Sequence, residues 1–284
     1  MKQSRLYSEI LEERDEETHR PNPVSNENQS DYSIHDAYND WLAQLPDLKN
    51  EYQDIGNLGN DIYRARDNKY REALFLAEKA TYDKEDLQTF LNGNWAIGWR
   101  DEMTTESASS HKDYLHHEHK IKQGIFASAF IEILDNEIVS IPSVDVEGIG
   151  YGNTSNIRVE GDVKAGSFCD KMSGGNVIVE GDITDTLGNG MTGGEIEVRG
   201  DADTVLDNED SSTIKIEGDL RRYLGVGGTT RVSGNLEEIT GLGIAGEVYV
   251  EGEINNLGID LPEDVTIYQK QDGNWTEVFP SDSQ

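Results

Sequence analysis

Ile196-Glu-Val-Arg-Gly-Asp201 reads apolar, polar, apolar, polar, Gly, Asp, and the phrase returns throughout the second half of the chain. Its other copies are Ile157-Arg-Val-Glu-Gly-Asp162, Val177-Ile-Val-Glu-Gly-Asp182, Ile214-Lys-Ile-Glu-Gly-Asp219, Thr230-Arg-Val-Ser-Gly-Asn235 and Val248-Tyr-Val-Glu-Gly-Glu253. Their glycines are 20, 19, 18, 16 and 18 residues apart. A steady period of that length marks one structural unit stacked on copies of itself. Within the phrase, alternation puts Ile196 and Val198 on one face of a short strand and Glu197 and Arg199 on the other. The glycine then ends the strand at a tight corner, where positive φ or the lack of a Cβ is needed. The Asp or Asn after it can accept bonds from nearby backbone amides and hold the bend.

A unit this short has no room for a strand, a helix and two loops. It fits one coil of a right-handed parallel β-helix, a single-stranded solenoid in which each strand pairs with its equivalents above and below. A helical solenoid is the rival architecture. It conflicts with 23 of the 29 glycines lying between positions 148 and 258, because glycine disfavours helix strongly. An earlier partial copy, Val144-Asp-Val-Glu-Gly148, starts the stack near residue 143, and Val265-Thr-Ile267 reads as its last strand. Two strands are preceded by Met172-Ser-Gly-Gly175 and Met191-Thr-Gly-Gly194, where the methionine fills the interior and the glycines turn the corner.

The stretch Leu187-Gly-Asn-Gly-Met-Thr-Gly-Gly-Glu-Ile-Glu-Val-Arg-Gly-Asp201 resembles a coil of the GXGXG-type β-helix domain. That domain closes the glutamate synthase large subunit and also makes up one of the subunits of formylmethanofuran dehydrogenase. The coil from Gly161 to Asp182 keeps Met172-Ser-Gly-Gly175 but has Phe168, Cys169 and Asp170 where the earlier glycines belong. Coils beyond 201 lose the Met-x-Gly-Gly element, with Gly227-Gly228 as a remnant. The resemblance spans residues 143–260 and does not reach the N-terminal half. It implies a scaffold that packs against catalytic partners, with no catalytic, cofactor-binding or metal-binding residue to carry over.

The N-terminal half is organised differently. Residues 1–34 read as a disordered tail, broken by Pro21, Pro23 and a polar run. A helical region follows over 35–122. Its first helix begins near Asp36, with Tyr38, Trp41 and Leu42 on one face, and stops at Pro46. A second is capped by Asn68 and carries Ala73, Leu74, Leu76 and Ala77; a third is capped by Asp83 and ends at Gly93. Residues 123–142 read as a strand pair, Ile125 to Ile133 and Ile138 to Ile141, turning at Asp135-Asn136 and capping the open end of the solenoid. The β-helix then occupies 143–270, and 271–284 read as a C-terminal tail.

Charge bounds the partners. The chain carries 56 acidic and 24 basic residues, a formal net charge of −32. Such a surface repels nucleic acid and anionic membranes. It suits a halophilic protein kept soluble in concentrated salt, where screening removes self-repulsion. No segment is apolar enough to span a membrane, and the N-terminus shows no apolar signal core, so a cytoplasmic protein is expected. The single Cys169 excludes an internal disulfide and an iron–sulfur cluster held by this chain alone, and reads as a buried thiol.

Candidate chemistry is sparse. His111, His116, His117 and His119 lie within nine residues. On a helix His116 and His119 share a face and could chelate a metal, but no zinc spacing is matched. Lys112, Lys120 and Lys122 crowd the same stretch, which otherwise reads as a solvated polar segment. Gly148-Ile-Gly-Tyr-Gly152, Gly225-Val-Gly227 and Gly241-Leu-Gly243 lack the strand–helix context and lysine of a phosphate loop. The G-G-x-G-x-D calcium pattern fails at Gly193-Gly194. Carboxylates abound without a pair being singled out, and no nucleophile elbow is present. The expectation is a non-catalytic β-helix scaffold or accessory subunit without cofactor, assembling with a protein partner. The alternatives are a self-assembling structural β-helix or a carbohydrate-active β-helix enzyme.

Overall fold

The computed structural model describes residues 32–43, 58–92, 123–134, 138–144, 147–164, 166–206, 211–240, 245–258, 261 and 265–279. Helices α1 (Ile34–Ala43), α2 (Leu58–Ala77), α3 (Lys84–Asn92) and α4 (residues 123–133) precede a parallel β-solenoid. The solenoid strands are β1 (Ile138–Ile141), β2 (Asn156–Val159), β3 (Ser173–Val179), β4 (Ile183–Leu187), β5 (Gly193–Val198), β6 (Ala202–Val205), β7 (Ser212–Ile216), β8 (Leu220–Tyr223), β9 (Val226–Val232), β10 (Leu236–Ile239), β11 (Ala245–Val250), β12 (Ile254–Leu257) and β13 (Val265–Gln271), followed by β14 (Asn274–Phe279). They form a nine-stranded sheet, β1-β2-β3-β5-β7-β9-β11-β13-β14, and a five-stranded sheet, β12-β10-β8-β6-β4. Every coil-to-coil pairing is parallel.

Register explains why the phrase repeats. In the nine-stranded sheet Val139, Ile157, Val177, Ile196, Ile214, Thr230, Val248 and Ile267 stack in one column. All eight are buried, so a β-branched residue at that position meets its own kind above and below. Thr230 is the polar member, and its hydroxyl has no hydrogen-bond partner. A second inward column begins the other sheet, running from Val144 through Val163, Ile183, Ala202, Leu220 and Leu236 to Ile254.

The corner glycines of the phrase do not need positive φ, which is absent at 161, 181, 200, 218, 234 and 252. They are small because the coils touch there. A Cβ on Gly200 would lie 2.1 Å from Asp182 Oδ1 and 2.7 Å from the Gly181 carbonyl oxygen. The acidic residue after each glycine acts between coils. Asp182 Oδ1 accepts the Asp201 N–H at 2.9 Å, Asp201 Oδ1 accepts that of Asp219 at 2.8 Å, and Asp219 Oδ1 accepts that of Asn235 at 2.6 Å. Thus the aspartates form a ladder up the solenoid edge, where a bend-holding role within one coil was expected.

The Met-x-Gly-Gly element behaves as expected. Met172 and Met191 are buried, while Gly175 and Gly194 have φ of 74° and 91°.

Several boundaries differ from the expectation. Residues 123–133, expected as the first strand of a capping pair, are helix α4; only Ile138–Ile141 is strand. The buried residues 125–131 include Ala127, Ser128 and Ala129 beside larger apolar groups, and burial all round the segment hid its helical period. Helix α2 starts at Leu58, ten residues before the proposed Asn68 cap. The expected C-terminal tail contributes β14, antiparallel to β13. Helix α3 does follow its Asp83 cap, whose Oδ1 accepts the Asp86 N–H at 2.9 Å. Ser33 caps α1 in the same way, exchanging bonds with Asp36. The expected turn at Asp135-Asn136 lies outside the described residues.

Candidate functional site

The densest polar chemistry in the interior lies where the helices meet the first two coils. Helix α4 rests on the corner 147–155. Ser128 Oγ donates to the Gly124 carbonyl at 2.7 Å and accepts the Gly150 and Tyr151 N–H groups at 2.9 and 3.2 Å. Glu132 accepts the Thr154 N–H at 2.8 Å and bonds the Thr154 hydroxyl. Gly124 is required at this crossing, since a Cβ there would meet the Glu147 carbonyl oxygen at 1.9 Å. Tyr82 donates to the Phe130 carbonyl at 2.9 Å, and Gln88 on α3 reaches the Ser140 carbonyl of β1 at 2.9 Å. Phe126 packs at ring-centroid distances of 5.0, 5.2 and 5.9 Å from Tyr38, Trp41 and Phe90, tying α1, α3 and α4 into the solenoid core.

Helix α2 meets the next corner. Asp67 accepts the Tyr151 hydroxyl at 2.6 Å and pairs with Lys171 Nζ at 2.8 Å. Lys171, Cys169 and Ser167 are non-glycine residues with φ of 55°, 57° and 57°. The ladder bonds place Ser167 against Gly148, Cys169 against Gly150 and Gly188, and Lys171 against Gly152 and Gly190, all left-handed. The glycine equivalents in this coil are therefore Ser167, Cys169 and Lys171; the assignment to Phe168, Cys169 and Asp170 was out of step by one residue at its ends. Left-handed backbone costs an ordinary residue about 1 kcal/mol. The stacked left-handed glycines on either side hold the strained residues in place.

Between them sits Asp170. It is almost wholly buried, and neither carboxyl oxygen has a partner at hydrogen-bond geometry. Burial pushes its pKa up to about 6, against the opposing influence of Arg66, Ser167 and Asn189 nearby. Burial, then the neighbouring Asp170 charge, also pushes the Cys169 thiol well up, so this buried cysteine is a poor nucleophile. What this arrangement can do chemically is fasten helix to coil and respond to pH.

Elsewhere, a groove of about 500 Å³ follows the aspartate ladder past Asp182, Asp201, Asp219 and Glu237. Asp203 within it is buried enough to raise its pKa, but hydrogen bonds from Arg221, Thr204 and Arg222 outweigh that and lower it. Among the described residues no group of three or more His, Cys, Asp or Glu is arranged to hold a metal ion. His111, His116, His117 and His119 lie outside the described residues. No described helix is long and apolar enough to cross a membrane.

The class these features define is a parallel β-helix protein whose first coils carry a helical cap. No protein-family model, no curated protein and no solved structure matches the chain.

Proposed function

We propose that the chain is a non-catalytic β-helix scaffold or accessory subunit that assembles with a protein partner. The observation that carries this reading is where the polar groups between the helices and the coils go. Ser128, Glu132, Asp67, Lys171 and Tyr151 join helices to coils, and the solenoid interior is filled by apolar columns. Both are the marks of a rigid body offering its outside. The left-handed corners at 148–152, 167–171 and 188–190 support a likeness to GXGXG-type domains, which act as scaffolds.

End-to-end polymerisation is the weaker alternative. Helix α3 packs on β1 at one edge of the nine-stranded sheet, and antiparallel β14 covers β13 at the other. Covered edges resist the addition of another parallel coil. The net charge of −32 fits a protein that works in concentrated salt, as a halophilic cytoplasm would supply.

The test is purification of the tagged chain from its source cells in molar salt, with subunit stoichiometry read by native mass spectrometry. A fixed complex with a second polypeptide is expected. Recovery of this chain alone, as monomer or filament, overturns the reading.

A further inference from the structure

The outer face of the nine-stranded sheet changes character along its length. Its central column runs Arg158, Ile178, Glu197, Lys215, Arg231, Tyr249, Tyr268 and Glu277 in successive strands. Cations there are mostly spoken for: Arg158 and Arg199 pair with Glu180, Lys215 with Glu195, and Lys270 with Glu251. Arg231 differs. It is exposed, it makes no ion pair and no side-chain hydrogen bond among the described residues, and its guanidinium lies over the Tyr249 ring, 4.4 Å from the centroid.

Tyr249 is held in turn by Tyr268, stacked 4.7 Å away and 12° from parallel, and by the edge-on indole of Trp275 at 5.3 Å. Trp275 remains 40 % exposed, one of few large apolar side chains so placed among the described residues. Together Lys215, Glu217, Arg231, Tyr249, Glu251 and Trp275 line a groove of about 260 Å³. Glu217 is also exposed and without an ion pair among the described residues.

We propose that this groove is a binding site for a neutral saccharide of one or two rings. Three features point to that ligand class. The part-exposed indole of Trp275 on β14, with Lys270 Nζ over its ring 5.7 Å from the centroid, offers apolar ring surface on which the C–H face of a sugar ring packs. Flanking it, a guanidinium with five unspent donors and a carboxylate that only accepts supply opposite hydrogen-bonding roles, which vicinal hydroxyls satisfy together. The groove is slightly smaller than the usual range for drug-sized ligands, which begins at about 300 Å³. An anionic ligand is disfavoured by Glu197, Glu217 and Glu251 around a single unpaired guanidinium and by the net charge of −32. A hydrophobic partner is disfavoured by the charged rim. The site lies outside the helical junction and does not depend on the scaffold reading.

The experiment is an array of neutral oligosaccharides built from the common hexoses and pentoses, probed with the full chain in molar salt. Calorimetry then measures the best binder. Expected is a Kd on the order of 1 mM that does not weaken as salt is raised. Trp275→Ala and Arg231→Ala should each weaken binding by about tenfold, while Trp275→Phe retains most of it. Because Trp275 and Arg231 also pack on Tyr249, binding is measured well below each variant's own unfolding midpoint, and Trp275→Phe, which keeps a ring against Tyr249, separates loss of the site from loss of the fold. Absence of binding across the array overturns the proposal. So does binding that Trp275→Ala and Arg231→Ala leave unchanged, or binding abolished by salt, which would mark an ionic contact.

Discussion

Replacing Asp170 by asparagine should make the protein more stable at neutral pH and remove part of its pH dependence. The buried carboxyl has its pKa raised from 3.8 to about 6, so the folded state holds this proton more tightly than the unfolded chain. Stability contributed by the group is therefore fully present below the unfolded value and lost as pH rises through about 6. A rise of roughly two pKa units corresponds to about 3 kcal/mol between acid and neutral conditions. Asparagine keeps the shape, stays uncharged, and should recover up to that amount at pH above the transition. The rest of the protein is acidic and will itself respond to pH, so the useful quantity is the difference between variant and wild type. Denaturant unfolding at a series of pH values in molar salt gives it directly. The difference should be small near the acid end and grow through the raised pKa to a plateau. A difference independent of pH, or a variant that is less stable at neutral pH, refutes the reasoning and means that the Arg66 charge outweighs desolvation.

Two further outcomes test the coil architecture. Gly200→Ala places a Cβ 2.1 Å from Asp182 Oδ1 and against the Gly181 backbone, and should cost about 1–3 kcal/mol in denaturant unfolding. Gly174→Ala, whose nearest contact would be 3.6 Å away, should be nearly neutral; equal costs at the two positions would remove the stacking argument. Thr230→Val keeps the β-branched shape and deletes a buried hydroxyl that has no partner. It should raise stability by about 1 kcal/mol, read as an upward shift of the thermal midpoint, and a downward shift would show that the hydroxyl is satisfied in solution.

The coil was legible because its signal is redundant. Each of Ile157, Val177, Ile196, Ile214 and Val248 occupies the same interior position, so one misread copy is outvoted by the others. The ends of the solenoid have no such redundancy. Ile125 to Ile131 is buried on every side, and a run apolar all round carries no period to separate helix from strand. The identity of the left-handed positions was also hidden. Glycine marks them at 148, 150, 152, 188 and 190, but Ser167, Cys169 and Lys171 hold the same backbone without announcing it. Nor could sequence show the exposed groove, because Arg231, Tyr249, Trp275 and Glu217 come from separate coils. Tyr249 is the outward residue of an ordinary repeat and gave no hint of its neighbours.

The helical cap and the first coil are best regarded as one unit. Gly150 and Tyr151 N–H groups have their acceptor in Ser128 of α4, and the Thr154 N–H has its acceptor in Glu132. In a continuous solenoid, amides at the equivalent corner bond to a neighbouring coil, as Lys171 and Cys169 do with the Asn189 and Ile149 carbonyls. Helix α4 thus stands where a preceding coil would be, and supplies side-chain oxygens in place of backbone carbonyls. Taking it away would leave the buried Gly150 N–H without its Ser128 acceptor, at about 1–3 kcal/mol, beside the exposed face of an apolar core. This substitution ends the stack by chemistry as well as by shape. On the flanks of the solenoid the side chains are free to differ from coil to coil, because the interior columns and the aspartate ladder already hold the coils together.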